Sequence, residues 1–512
     1  MTTATPQQLL RQLLADGHAA RPLVDIGSSS VSGLRHPNPF AARGKPGRTV
    51  AHPVQHIRSL GAAEAAAVGS DTVRAGRSFR APALDSAGSF TDPTGVRWAW
   101  SNGEPTLLGH PLEQAGVRGI RRHPRPDWSL TSQAAPAACS DQPAQQPAQQ
   151  PADRPTDRPA DRDAAHAATP GGAVLVVEPP CPGMLELAMA LRNPWQFMHD
   201  ITDGWRVAGA LLDWSLQTLV EAYSHVLQAL PQPPDLVVIS DVLGFRAGMY
   251  LPVSDFRAQY LPRLRALVLQ LRDLTGAPVL LRCQGAVGPL LGQLATLEPD
   301  LLHLQRDVAG LEVCRVRSAI PATTSLHGVV DLVRLGRALA GGDTQRATQE
   351  AVRLAEAWPA VAAPLGIVPA DVTADVLARA ASFVRCLTPA TLRALHGEPD
   401  PARVLAPLFC RSATVNLAGD GEPALALPCP RRPLITPITL ITLILCGGQR
   451  VPRRVCDFRP AGTVRADLTT TLCVPAGYSG TKGRPTRGPL KESRRCLSRP
   501  TCRSPRKRAS NR

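Results

Sequence analysis

Two carboxylates each follow a short apolar run: Glu178 after Ala173–Val177, and Asp241 after Leu236 to Ser240. In a parallel sheet both runs would end at the same side. Two acids converging there could perform acid–base work or bind a cationic or pyrrolic N–H substrate. The same residues could equally cap the following helix or pair with an arginine. Arg282-Cys283-Gln284-Gly285 follows a third apolar run, Val279 to Leu281. A thiol beside a guanidinium is a candidate low-pKa nucleophile or metal ligand, although a lone Cys with no ligand partner nearby more often packs than reacts. Between them, Gly244 to Tyr250 carries Phe245, Arg246, Met249 and Tyr250. An arginine among aromatics suits a flat acidic or aromatic ligand, or a loop anchored by its own rings. Ser28, in the Ser/Gly loop after Leu23–Ile26, could offer a hydroxyl and backbone N–H groups to an anion, or form a plain turn. The expected catalytic residues are therefore Asp241 and Glu178. The expected substrate-binding residues are Arg246, Tyr250, Ser28 and Arg282. Cys283 alone stands as a metal-ligand candidate. His199, His303 and His327 lack metal-ligand spacing and read as structural. No Walker loop, G-x-G-x-x-G, G-x-S-x-G or H-E-x-x-H occurs.

The elements that must hold these residues follow from periodicity. Asp235 to Gly285 reads as strand, loop, helix and strand, a βαβ unit with parallel strands. Polar residues just past such strand ends are where α/β folds keep their chemistry. Residues 6–17 repeat leucine at helical spacing, and residues 36–78 read as irregular around a short Ala-rich helix at Ala62–Val68. Asp92-Pro93-Thr94-Gly95 is a hairpin turn with Val96–Trp98 returning. Met184–Leu230 is helical, with breaks near Asn193-Pro194 and Asp203-Gly204. Leu301–Gln305 and Val313–Val316 read as further strands, separated from the unit by a helix over Val287–Leu297. From Val329 to about Leu408 only helices are evident. The expected class is α/β, a (β/α)8 barrel or an open sheet.

Composition marks what does not pack. The chain of 512 residues holds 51 prolines and only 4% aromatics. Residues 143–162 are five tetrapeptide repeats opened by proline, an extended linker. Residues 430–512 carry 19 Lys and Arg against 3 Asp and Glu, a surplus equal to the whole net charge of +16. The remaining body is neutral, which argues against a polyanion-binding protein. The tail reads as disordered, as a basic arm, or as a segment translated from a frame not selected to fold. Twelve cysteines contain no C-x-x-C pair, and no apolar run is long enough for a membrane span. The expectation is a cytoplasmic protein with reduced thiols. The expected division is 1–132, the first part of a barrel; 133–172, a disordered linker; 173–316, the main barrel portion; 317–428, helical; and 429–512, the basic tail.

Several segments resemble the uroporphyrinogen decarboxylase superfamily. Asp241 to Arg257, D-V-L-G-F-R-A-G-M-Y-L-P-V-S-D-F-R, followed by Tyr260-Leu261-Pro262, is similar to its D-D-x-G-x-Q-x-G-x-x-x-S-P-x-x-F-R and the helix-opening proline beyond. Val279–Val287 looks like its v-x-l-H-x-C-G-x-v segment, and Leu191–Asp200 like its helix region. Asp92–Trp98, His110-Pro111-Leu112 and the Ser-rich Asp25–Gly33 resemble the corrinoid methyltransferase-like branch. The resemblance implies a (β/α)8 barrel with its site at the carboxyl ends of the strands. It also implies one of two activities: cofactor-free decarboxylation of a porphyrinogen, or methyl transfer between a corrinoid protein and a thiol at a zinc ion. The implied partner is then a tetrapyrrole or a methylated corrinoid protein. The chain departs from both patterns. The decarboxylase's P-V-W-x-M-R-Q-A-G-R motif is absent. The branch's H-x-C zinc positions fall on Arg282 and Gln284, with Cys283 displaced by one residue, so zinc and corrinoid lack their expected ligands. Past Val316 the last strands are not evident, which implies an incomplete barrel. A catalytically inactive binding protein, or a truncated product, is the remaining expectation.

Overall fold

The computed structural model describes residues 4–27, 34–35, 49–50, 57–58, 60–80, 84–101, 104–128, 132–134 and 170–412, apart from 306, 307, 309, 366, 367, 370 and 397. Ser28, the Pro-rich repeats and the basic tail lie outside the described residues. Eight parallel strands form a barrel: β1 (Leu23–Val24), β2 (Thr72–Arg80), β3 (Val174–Val177), β4 (Leu236–Val242), β5 (Val279–Gln284), β6 (Leu301–Leu304), β7 (Ser325–His327) and β8 (Ala360–Ala362). From β2 to β8 each strand pairs with the next in chain order, and β8 pairs with β1, with Leu23 opposite Val361 and Val24 opposite Ala362. Helices separate most of the strands, as parallel connection requires. The fold is a (β/α)8-type barrel.

Three expectations are corrected. The barrel is not left open after Val316, because β7 and β8 supply its last strands; each is only three residues long, too short to show alternation in the sequence. Val313–Val316 is helical, within Val313–Ala319. The segment expected to be irregular contains most of β2, so the βαβ unit of Asp235 to Gly285 supplies the fourth and fifth strands.

Side-chain alternation sorts the strand residues into two faces. Inward, Leu23, Val174, Val176, Leu236, Val238, Leu280, Leu301 and Val361 form one buried cluster with Leu9, Leu10 and Leu13 of the helix Pro6–Asp16. That helix covers the amino end of the barrel. Its Gln7 donates to Asp235 Oδ2 (3.0 Å), which also accepts from Leu175 N (2.8 Å). Outward, Val73, Val177, Val237, Ile239, Val279 and Leu281 pack against the surrounding helices.

Closure between β1 and β2 is made largely by side chains. Asp71 N donates to Val24 O (2.7 Å), and Asp71 Oδ2 accepts from Val24 N (2.9 Å). Ser70 Oγ accepts from Ile26 N (3.1 Å), and Thr72 Oγ1 donates to Asp25 Oδ1 (2.7 Å). The Asp71 carboxylate is buried, and two guanidiniums neutralise it: Arg21 binds both oxygens (2.7 and 2.9 Å) and Arg385 binds Oδ1 (2.6 Å). Removing it would leave two cations and the Val24 N–H without their acceptor. Asp71→Ala should lower unfolding stability by about 3 kcal/mol, read as a drop in the urea midpoint, since breaking a buried pair from one side costs most. An unchanged midpoint would show that the seam holds by backbone alone.

Candidate functional site

Register places four polar residues in one inward row across adjacent strands. Ser240 lies opposite Arg282, Arg282 opposite His303, and His303 opposite His327. Each stands two positions beyond an inward apolar or buried residue, at the carboxyl half of its strand, so all four share the barrel interior above the apolar cluster. Arg282 NH1 donates to Ser240 Oγ (3.1 Å), while its buried Nε finds no acceptor among the described residues. Burial lowers this guanidinium to about 10, against the opposing pull of Glu186, Glu178 and Cys283. His303 Nδ1 and His327 Nδ1 share a hydrogen bond of 2.9 Å, and His327 Nε2 lies 3.0 Å from Asp25 Oδ2. Arg74 of β2 faces Glu178 at 3.7 Å, both buried.

Glu178 therefore belongs to the interior, paired with Arg74. Asp241 does not share it. Its position alternates with the inward Ser240, which turns it towards the helices. There Asp241 accepts hydrogen bonds from Leu185 N (2.8 Å), Glu186 N (3.2 Å), Val242 N (2.8 Å) and the Tyr260 hydroxyl. It caps the helix Met184–Arg192, whose first amides would otherwise lack acceptors. Gly183 at that cap is required by close approach, since a Cβ there would run into Asp241 Cγ and Ser240 O. Asp241 and Glu178 thus occupy opposite faces of the sheet, so the shared cleft is not built.

Asp241's cap instead sets Glu186, which sequence reasoning did not single out. Burial pushes Asp241 up to about 6 against its four donors. Glu186 rises further, to about 7, from burial and the Asp241 charge, with Arg282 opposing.

Cys283 also turns outward, packed with Val279 and Leu281, and burial drives its thiol far above the ordinary range. A zinc ion in the barrel would find Arg282, a cation, where a ligand is expected, and the thiol on the other side of the strand. The donor set does not fit zinc. Among the described residues no group of three or more His, Cys, Asp or Glu could hold a metal ion.

The loop bearing the remaining candidates is a two-stranded hairpin, Gly244–Phe245 against Gly248–Met249. Leu243 N donates to Gln284 O (2.9 Å) and Ala286 N to Phe245 O (3.0 Å), tying the hairpin over the ends of β4 and β5. Gly285, at φ +102, lies so close to Gly244 that no Cβ would fit between them. Arg246 and Phe245 are exposed and Tyr250 is half-buried, its hydroxyl raised to about 12 by burial and by the Glu186 charge. These side chains form the rim, with Arg282 below.

The segments that resemble the superfamily meet in space for local reasons. Asp92 closes its turn by accepting from Thr94 N (2.8 Å), Val96 N (3.2 Å) and Trp98 Nε1 (2.8 Å). His110 Nδ1 lies 2.7 Å from Ala190 O, Leu112 N donates to Leu191 O (2.9 Å), and Arg192 joins Asp200 to the Leu112 and Ala115 carbonyls.

No family model and no curated protein matches the sequence. Among solved structures, the chain is similar to a methyltransferase from Methanosarcina mazei, at 14% identity and a TM-score of 0.46, covering 75% of this chain and 98% of that one. At that level the likeness says nothing of which chemistry this barrel performs. Among the described residues, no helix is long and apolar enough to cross a membrane.

Glu186 gives the site a pH signature. Its folded-state carboxyl is raised from the ordinary 4.5 to about 7, so the folded chain binds more protons than the unfolded one between those values. That contribution to stability falls as pH rises through the window. Glu186→Gln should raise the urea midpoint at pH 8 and leave it near wild type at pH 4.5. Equal effects at both pH values would sink the assignment.

Proposed function

We propose that this chain is a uroporphyrinogen-decarboxylase-superfamily protein, nearest the corrinoid methyltransferase-like branch, that binds a carboxylate-bearing small molecule inside the barrel and does so without a zinc ion. The observation that carries the reading is Arg282. It projects into the barrel at the position where the branch's zinc motif has histidine, it is buried, and its Nε–H has no acceptor among the described residues. A buried guanidinium with an open edge is costly until an anion fills it, and a carboxylate fits that edge in plane. Ser240 fixes the other edge, so the ligand's approach is set by the Nε side. Arg246 and Tyr250 at the rim would meet a second acidic or aromatic part of the ligand, and Glu178 with Arg74 forms the opposite wall. Asp241 acts as a positioning residue through the helix cap and Glu186.

A second reading, cofactor-free decarboxylation of a porphyrinogen, is favoured by the same arginine together with a protonatable Glu186. The superfamily's decarboxylases use arginines on substrate acetates, and no metal enters that step. On either reading Arg282→Gln should weaken binding of a carboxylate ligand about tenfold to a hundredfold, the worth of a charge-assisted hydrogen bond, while Arg246→Gln at the exposed rim changes it less. Porphyrinogen turnover by the wild-type chain, lost in Arg282→Gln, would select the decarboxylase reading. Stoichiometric tightly held zinc in the purified protein would overturn both and restore thiol methyl transfer.

A further inference from the structure

Inside the barrel, beside Arg282, lies a chain of side chains that no step above uses: Thr72, Asp25, His327 and His303. Thr72 Oγ1 donates to Asp25 Oδ1 (2.7 Å), and Asp25 Oδ2 faces His327 Nε2 (3.0 Å). The two imidazoles then meet Nδ1 to Nδ1 (2.9 Å) with their planes at 48°. His303, His327 and Asp25 are each at most 2% exposed. They come from β6, β7 and the end of β1, so only the closed barrel assembles them.

The hydrogen bonds fix where the protons sit. A carboxylate accepts, so His327 Nε2 carries the proton and donates to Asp25. One proton occupies the Nδ1–Nδ1 contact. With both rings neutral, His327 Nδ1 is bare and His303 Nδ1 carries the proton. His303 Nε2 is then a lone pair, and it makes no hydrogen bond among the described residues. Gly328, at φ +72, lets the His303 ring lie against the backbone, since a Cβ there would occupy the place of its Cε1 and Nδ1.

We propose that Asp25, His327 and His303 form a proton relay, with His303 Nε2 as the catalytic base that receives a proton from a carboxylate-bearing substrate held at Arg282. His327 and Asp25 are positioning residues. The step balances without any further reactant. The substrate's X–H bond breaks and its electron pair stays on X, while the proton forms an N–H bond at His303 Nε2. The His303 Nδ1 proton moves to His327 Nδ1. His303 ends neutral with its proton exchanged between nitrogens, and His327 ends as an imidazolium against the Asp25 carboxylate. The new negative charge on X faces the Arg282 guanidinium, which lies opposite His303 in register. Reversal returns the proton to substrate or product.

The surroundings keep the base ready. Among the described residues, the groups facing His303 are His327 on β7 and Arg282 on β5, and Asp25 reaches it through His327. Burial, then His327, then Arg282, holds His303 well below its ordinary 6.5, so it stays neutral at pH 7. The charge of the relay is therefore stored on His327, one ring away from the substrate and beside its counter-ion. An orienting carboxylate behind an imidazole is the arrangement that fixes a tautomer for base catalysis; here a second imidazole stands between them.

The proposal rests on Arg282 only for the class of substrate, and the test separates the two. The full chain, labelled with 15N-histidine, is examined by NMR at pH 7, with the two rings assigned through His303→Gln and His327→Gln. The expected result is a His303 ring protonated at Nδ1 and bare at Nε2, coupled across the hydrogen bond to His327 Nδ1. The tautomers are read on the wild-type chain, and one folded variant suffices to assign its ring, the coupling across the hydrogen bond then identifying the other. In Asp25→Asn, Thr72 holds the amide oxygen, so the amide nitrogen faces His327 and donates. Both tautomers should then invert, placing the His303 proton on Nε2. A wild-type His303 protonated at Nε2, or an Asp25→Asn protein with the wild-type His303 tautomer, overturns the relay. Succinate is the probe for the anion. It should shift the His303 Nε2 resonance in wild type and not in Arg282→Gln. An intact relay signature with no response to succinate overturns the carboxylate reading of Arg282 and leaves the relay standing.

Discussion

A parallel barrel needs each strand to find two neighbours, and between β1 and β2 that pairing passes through the side chain of Asp71. β1 spans only two residues, so backbone bonding alone offers little there. Asp71 supplies an acceptor to the Val24 N–H and a donor to the Val24 carbonyl, doing the work of a missing ladder rung. The carboxylate can be buried because Arg21 and Arg385 meet it from outside the strand pair. Arg385 belongs to the helix Ala374–Arg385, after the last barrel strand, so the chain's late residues fasten its first two strands together. The inward polar layer depends on this seam directly. Asp25 reaches His327 only if β1 sits between β8 and β2, and Thr72, the residue after Asp71, holds the other Asp25 oxygen.

Above that seam the barrel separates its charges by face. Inward, cations and bases stand in register: Arg282 and the two histidines, with Arg74 and Glu178 across from them. Outward, Asp241 and Cys283 are consumed by packing and capping. A single-residue change of position along a strand reverses which face a side chain meets. That is why the adjacent pair Arg282 and Cys283, similar on paper, divide into an inward guanidinium with an open edge and an outward, packed thiol. The same rule makes zinc a poor fit: the sulfur is present in the sequence and absent from the interior.

Much of this was legible in local pattern. The strands around Glu178, Asp241 and Arg282, the three-part helical stretch after Met184 and the turn at Asp92 all follow from short-range periodicity, proline and glycine positions, and capping chemistry. β7 and β8 were not legible, because a three-residue strand carries no period. β2 was hidden in a polar sequence, TVRAGRSFR, whose inward Thr72 and Arg74 look like surface residues until Asp25 and Glu178 meet them. His303 was the one faint signal, a histidine within the leucine run of β6, and its spacing from His327 fits no metal motif.

By itself, then, the sequence determined the α/β alternation, since it depends on interactions a few residues apart. Only the tertiary structure decided that the barrel closes, that Asp241 faces away from Glu178, and that Asp25 and His327, 302 positions apart, share a hydrogen bond. Register and closure are set by side chains meeting across the whole chain. No local window contains both partners of such a contact.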